Sequence, residues 1–140
     1  MRIWNLPVLV FLFAAPGYGQ TTSNTTVPSI PILQEAALPM YPPIWRTAHL
    51  NGKVTVLVTV RNGRVVGTDV KSGIPELQYP TTANLKTWRF ADEVNCTFTV
   101  TYTYVISGEE SDTPTNPKTE VLPSLDVNIV ARPVKPTVNY

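Results

Sequence analysis

The sequence predicts an α+β domain: a small antiparallel three- to four-stranded sheet with two short helices packed on one face. Three observations predict it. Residues 53–61 alternate strictly, with Val54, Val56, Val58 and Val60 on one side and Thr55, Leu57 and Thr59 on the other, as a half-buried strand does. Residues 97–106 alternate again, Phe98, Val100, Tyr102, Tyr104 and Ile106 against Thr97, Thr99, Thr101 and Thr103. Between these runs Leu77, Thr81, Leu85 and Trp88 recur at helical spacing, which calls for a helix lying on the sheet.

The elements follow in order. Arg2 precedes an apolar run over residues 6–15, and Gly17-Tyr18-Gly19 supplies small residues around a cleavage point after Gly19. That layout is a secretory signal peptide over residues 1–19. A bilayer span takes ~20 apolar residues and this run has about half that, so the product is expected to be exported; an uncleaved N-terminus acting as an anchor is the competing reading. No cysteine follows the run to accept a lipid. Removing the signal leaves about 120 of the 140 residues, enough for one small domain. Residues 20–37 mix Thr, Ser and Pro with isolated apolar residues and read as a flexible linker.

Pro42 and Pro43 suit a helix start, where a missing N–H costs nothing. The short helix is expected to run through His49 and to end at Asn51-Gly52, with the glycine left-handed. Asn62-Gly63 marks a hairpin. A two-residue turn would set Val56 opposite Asp69, placing a carboxylate on the valine face. A three-residue loop over residues 61–63 sets Val58 opposite Val66, Val56 opposite Thr68 and Val54 opposite Val70. Because a one-residue slip inverts every side chain, burial favours the longer loop with its bulge.

The second helix is weak on propensity, with Thr81, Thr82, Asn84 and Thr87. Pro80 is tolerable there only if the helix starts near Leu77 or later. Packing of Leu85 and Trp88 must supply most of its stability. Residues 107–120 are polar and Pro-punctuated, hence a loop. Leu125, Val127, Ile129 and Ala131 alternate within a further strand at residues 121–132, before a proline-broken tail at 133–140.

Composition narrows the function. A net charge of +1 excludes a general nucleic-acid binder, which needs a concentrated basic face. Cys96 is the one cysteine, so it is either a small strand residue or a thiol that pairs between chains. His49 is the one histidine, too little for a metal site, and reads as a solvated helix-end residue. Asp69, Asp92, Glu93, Glu109 and Glu110 form no recognisable acid–base pair, and no serine stands in a nucleophile turn. Arg89 is placed to pair with Asp92, with Glu93 or with a carboxylate of a partner. No catalytic residue, cofactor, metal or small-molecule substrate is expected; a strand-rich module with few reactive groups binds another chain.

Six short pieces then fall in register: Tyr41-Pro42; Ala48 with Asn51-Gly52; the valine strand; Asn62-Gly63-Arg64-Val65-Val66; Ser72-Gly73-Ile74-Pro75 with Leu77; and Trp88-Arg89-Phe90. In this order the chain resembles the C-terminal domain of TonB-family energy transducers, with residues 38–106 as the domain. The resemblance implies a periplasmic module that contacts outer-membrane transport receptors by accepting their short extended segment as an added strand. An exposed edge offers unpaired N–H and C=O groups for that purpose. The partner surface so implied is the edge at residues 97–106, with Thr97, Thr99, Thr101 and Thr103, plus the approach segment Leu38, Met40, Tyr41 and Pro42. Tyr41, Met40 and Trp45 also suit a role capping the core. In the alternative, structural or regulatory reading, the strand containing residues 125–131 caps the same edge, without energy transduction.

Overall fold

The structure, a computed structural model, describes residues 30–138. The signal peptide assigned to residues 1–19, and residues 20–29 of the linker, lie outside the described residues. Within them the order is α1 (Pro43–Thr47), β1 (Gly52–Arg61), β2 (Arg64–Gly73), α2 (Pro75–Leu85), β3 (Cys96–Ile106), β4 (Lys118–Val121) and β5 (Val127–Ala131). The strands form one five-stranded sheet in the order β2-β1-β3-β5-β4. All neighbours are antiparallel except β3 and β5, which run parallel. The sheet is therefore larger than expected, and mixed. The extra strand is β4, four residues of Lys-Thr-Glu-Val, too short and polar to show a period. The chain passes from β3 out to β4 and turns back, and β5 fills the slot between them.

The alternating sets face as the sequence requires. Val54, Val56, Val58 and Val60 are fully buried together with Val100, Tyr102 and Tyr104, under Leu77, Leu85 and Trp88. Each large apolar side chain so buried is worth roughly 1.5–3 kcal/mol. Val127, Ile129 and Ala131 continue the same buried face.

The hairpin reaches the expected parity by another route. Asn62 and Gly63 both take positive φ, 51° and 75°, and Arg61 pairs with Arg64, so the turn has two residues. The extra residue lies inside β2: Val60 pairs with Val65 but Thr59 with Gly67, which leaves Val66 bulged. Beyond it Val58 opposes Thr68 and Val56 opposes Val70, and Asp69 stays off the valine face. Residues 90–95 hold the hairpin tip: Gly63 N–H donates to Val94 O (3.0 Å), Phe90 N–H to Gly63 O (2.8 Å) and Asn62 N–H to Asn95 Oδ1 (3.0 Å).

Both helices differ in their limits. α1 stops at Thr47, and His49 takes the left-handed conformation (φ 53°) in place of Gly52, which opens β1. α2 begins at Pro75, earlier than expected, so Pro80 lies within it. Side-chain hydrogen bonds offset this weak backbone. Thr81 Oγ1 bonds Leu77 O (2.7 Å) and the Tyr104 hydroxyl (2.8 Å). Asn84 is the larger hub: its Nδ2 donates to Ala37 O (2.8 Å), while its Oδ1 accepts from Tyr102 OH (2.6 Å) and Trp88 Nε1 (3.3 Å). Ala37 N–H in turn donates to Thr87 Oγ1 (3.0 Å). The end of the expected linker is thus stitched to α2, and Glu35 bridges to Arg89. The predicted loop and tail are likewise joined: Ser111 N–H donates to Pro133 O (2.9 Å) and Lys135 N–H to Ser111 O (3.1 Å).

Two outcomes follow from this packing. A Cβ on Gly63 would lie 2.5 Å from Phe90 O and 2.6 Å from Ala91 O, at a φ of +75°; on Gly67 it would meet nothing nearer than 3.6 Å. Gly63→Ala is expected to cost roughly 2 kcal/mol or more in urea unfolding, and Gly67→Ala under about 1 kcal/mol. The second outcome concerns alkali. Burial pushes Tyr41 and Tyr104 up to about 12, and pushes Tyr102 up as well. Folded tyrosines hold protons that the unfolded chain releases near pH ~10, so stability is complete below pH ~10 and falls as pH rises from there through ~12. Thermal unfolding followed from pH 8 to 12 should show that decline, with the share of tyrosinate absorbance from Tyr41, Tyr102 and Tyr104 rising in step with unfolding.

Candidate functional site

The site is built from what the sheet leaves unpaired. β3 is eleven residues long and pairs with β1 from Cys96 to Tyr104, but β5 covers only Tyr102 to Ile106. In an antiparallel ladder, alternate residues turn their main-chain groups toward or away from a given neighbour. Thr101 N–H donates to Asp126 Oδ1 at 2.8 Å, and Ser107 N–H to Ala131 O at 2.9 Å. The odd-numbered residues therefore turn toward β5. Thr103 lies opposite Asn128, and Thr101 is capped by the Asp126 carboxylate, itself bonded to Ser124 Oγ at 3.1 Å. Thr97 and Thr99 come before β5 begins. Their side chains are exposed, and their outward N–H and C=O groups have no partner among the described residues.

The sheet's other margins are blunted. β2 carries bulged residues at Val66 and at Lys71, and an Asp69–Lys71 ion pair (2.6 Å) lies on its outer stretch. β4 is four residues long, with Lys118 and Glu120. Bulges, charges and brevity are the usual protections of an edge against added strands. The half-edge at residues 96–100 reads Cys-Thr-Phe-Thr-Val, with no charge, proline or bulge.

The predicted surface therefore divides. Thr97 and Thr99 are on the open edge, Thr101 is capped and Thr103 is covered. Tyr41 belongs to the core, 3% exposed, because its ring meets Tyr104 edge-on at 5.2 Å and its hydroxyl bonds Leu50 O. Pro42 is the N-cap of α1, its carbonyl taking Trp45 N–H (3.0 Å) and Arg46 N–H (3.2 Å). Leu38 and Met40 are exposed, at 79% and 66%, and line a groove of about 330 Å³ with Tyr79, Pro80 and Ala83 of α2. That groove lies on the helix-bearing face, whereas the side chains of Thr97 and Thr99 point from the opposite one; the sequence had grouped the two.

Other side chains find different partners than expected. The Arg89 guanidinium donates to Lys86 O and Trp88 O rather than to a carboxylate. His49 is exposed, 3.7 Å from Glu110, and no group of three or more His, Cys, Asp or Glu suited to a metal occurs among the described residues. Cys96 is half-buried, and burial pushes its thiol up. Sequence reasoning missed Arg46. It is 2% exposed, with Nε donating to Arg132 O (2.8 Å) and the two terminal nitrogens to Thr115 O (2.6 Å) and Thr115 Oγ1 (3.2 Å). Burial lowers its pKa from the ordinary arginine value. A lone arginine in a five-residue helix gives no pattern that would have marked it.

No protein-family description matches the chain, and no curated protein does. Among solved structures, the solution NMR structure of the Pseudomonas aeruginosa TonB C-terminal domain matches with a TM-score of 0.44 and 21% identity, over 51% of this chain and 82% of that one.

The Asp126 cap gives a prediction. Asp126→Ala should raise the hydrogen-exchange rate of the Thr101 amide at least ~10-fold and cost about 1–2 kcal/mol in urea unfolding. Exchange at Thr103, protected by β5, should change only by the global loss.

Proposed function

We propose that this chain is an exported, periplasmic protein-binding module that takes up an extended segment of a partner as an added strand beside residues 97–101, and that it carries out no catalysis. The partner class that suits it is the short extended segment of an outer-membrane transport receptor, as the resemblance in residues 38–106 implies. The observation that carries the reading is the unprotected half-edge at Thr97 and Thr99 in a sheet whose other margins are blunted. An incoming strand there would continue the row begun by β5.

The alternative, that the chain caps its own edge, accounts for residues 102–106. Leu125, Val127 and Ile129 of that cap are buried, at roughly 1.5–3 kcal/mol each, so a peptide does not displace it. What is left for a partner is about four main-chain hydrogen bonds, each worth a net ~0.5–1.5 kcal/mol. Together these give ~2–6 kcal/mol, so binding falls between ~0.04 mM and the tens of millimolar, suited to a transient contact.

A receptor-segment peptide titrated to millimolar concentration against the labelled chain should shift the amides of Thr97, Thr99 and Thr101 more than those of Thr103 and Val105. Thr99→Pro removes only an outward N–H and spares the ladder to β1; the loss of that bond should weaken binding ~2- to 12-fold while the chain stays folded. Thr99→Val, which keeps the backbone group, should bind within ~2-fold of the parent. Absence of shifts at those amides, or undiminished binding by Thr99→Pro, would refute the proposal.

A further inference from the structure

Arg46 is a charged group buried without a charged partner among the described residues. Arginine is seldom fully buried unless paired, and its fork is matched in shape and charge by a carboxylate. Here Thr115 holds that place with two neutral oxygens: its carbonyl faces one terminal nitrogen at 2.6 Å and its hydroxyl the other at 3.2 Å. Those bonds and the one from Nε to Arg132 O use three of the five guanidinium N–H groups. Arg46 and Thr115 both line a cleft of about 390 Å³, walled by Pro39, Met40, Pro43, Pro114 and Pro117.

We propose that this cleft binds an acidic side chain of glutamate length, presented by an apolar or proline-containing segment of a partner protein, with Arg46 as the anchor and Thr115 as a stand-in for the carboxylate. Charge complementarity assigns the occupant: the floor of the cleft is cationic and its walls are apolar. The depth of Arg46, 2% exposed, selects a slim side chain over a chain terminus, which would have to carry its own backbone down to the guanidinium. Proline walls suit a proline-flanked acid, because apolar rings stack against one another while the carboxylate reaches inward. The site is separate from the strand edge and does not depend on it.

The test titrates the full chain with three blocked pentapeptides. One has a central glutamate flanked by prolines, the second glutamine in its place, and the third that glutamine with a free C-terminal carboxylate. The glutamate peptide should shift the Arg46 Nε–H signal and bind at least ~10-fold more tightly than either of the others. Equal binding by glutamate and glutamine overturns the site. Equal binding by the free-terminus peptide overturns the choice of occupant. Arg46→Lys should lose at least ~10-fold in affinity, since an ammonium cannot make the fork. Because that variant also weakens the hold on residues 115 and 132, Thr115→Val provides a second reading. It removes the hydroxyl stand-in, leaves Arg46 intact, and should tighten glutamate-peptide binding by ~2-fold or more. Unchanged or weaker binding by folded Thr115→Val contradicts the stand-in role.

Discussion

The other elements of the fold hang on the antiparallel pairing of β1 with β3, which runs without interruption from Gly52–Tyr104 to Val60–Cys96. It brings Val54, Val56 and Val58 beside Tyr102, Val100 and Phe98 on one face. That apolar surface holds a helix with little propensity of its own. It also fixes which main-chain groups of β3 turn outward. β2 joins the free side of β1, and β5 joins the free side of β3 but begins only at Tyr102. The open half-edge is thus a consequence of two strand lengths.

Polar satisfaction completes the design on the helix side. Tyr102, Tyr104 and Trp88 are buried aromatics with polar tips, and each tip has a partner on or just after α2: Asn84 for Tyr102 and Trp88, Thr81 for Tyr104. Two of the residues that make α2 a poor helix by propensity, Thr81 and Asn84, are those that answer these tips. The conflict between local preference and tertiary need is resolved by hydrogen bonds, which are strong when buried and costly when unmade. Asn84 also reaches Ala37, so the approach segment is positioned by the same residue.

Much of this was legible in the sequence. Period-two alternation marked β1, β3 and β5, and apolar helical spacing marked α2, because burial on one face imposes those periods. The requirement that Asp69 avoid the valine face gave the correct parity for β2. It could not locate the extra residue, because a bulge at Val66 and a longer turn invert side chains equally. β4 was invisible: a strand that pairs on one side only and lies in a polar stretch has no apolar period. The parallel docking of β5 was also hidden, since it depends on the path of residues 107–126 rather than on the strand's own residues. Of the candidate surface, Thr97 and Thr99 stand at the open edge. Tyr41 belongs to the core because its ring packs on Tyr104, a contact between residues 63 positions apart. Arg46 carried no signal at all; its partners, residues 115 and 132, are brought to it by the C-terminal strand pair.

The outer edge of β3 is half covered and half open, and amide hydrogen exchange reads that division residue by residue. Under native conditions Thr97 and Thr99 should exchange at least ~100-fold faster than Phe98, which bonds β1, and Thr103, which bonds β5. Equal protection of Thr97, Thr99 and Thr103 would mean that the whole edge is already occupied, with no open half left for a partner.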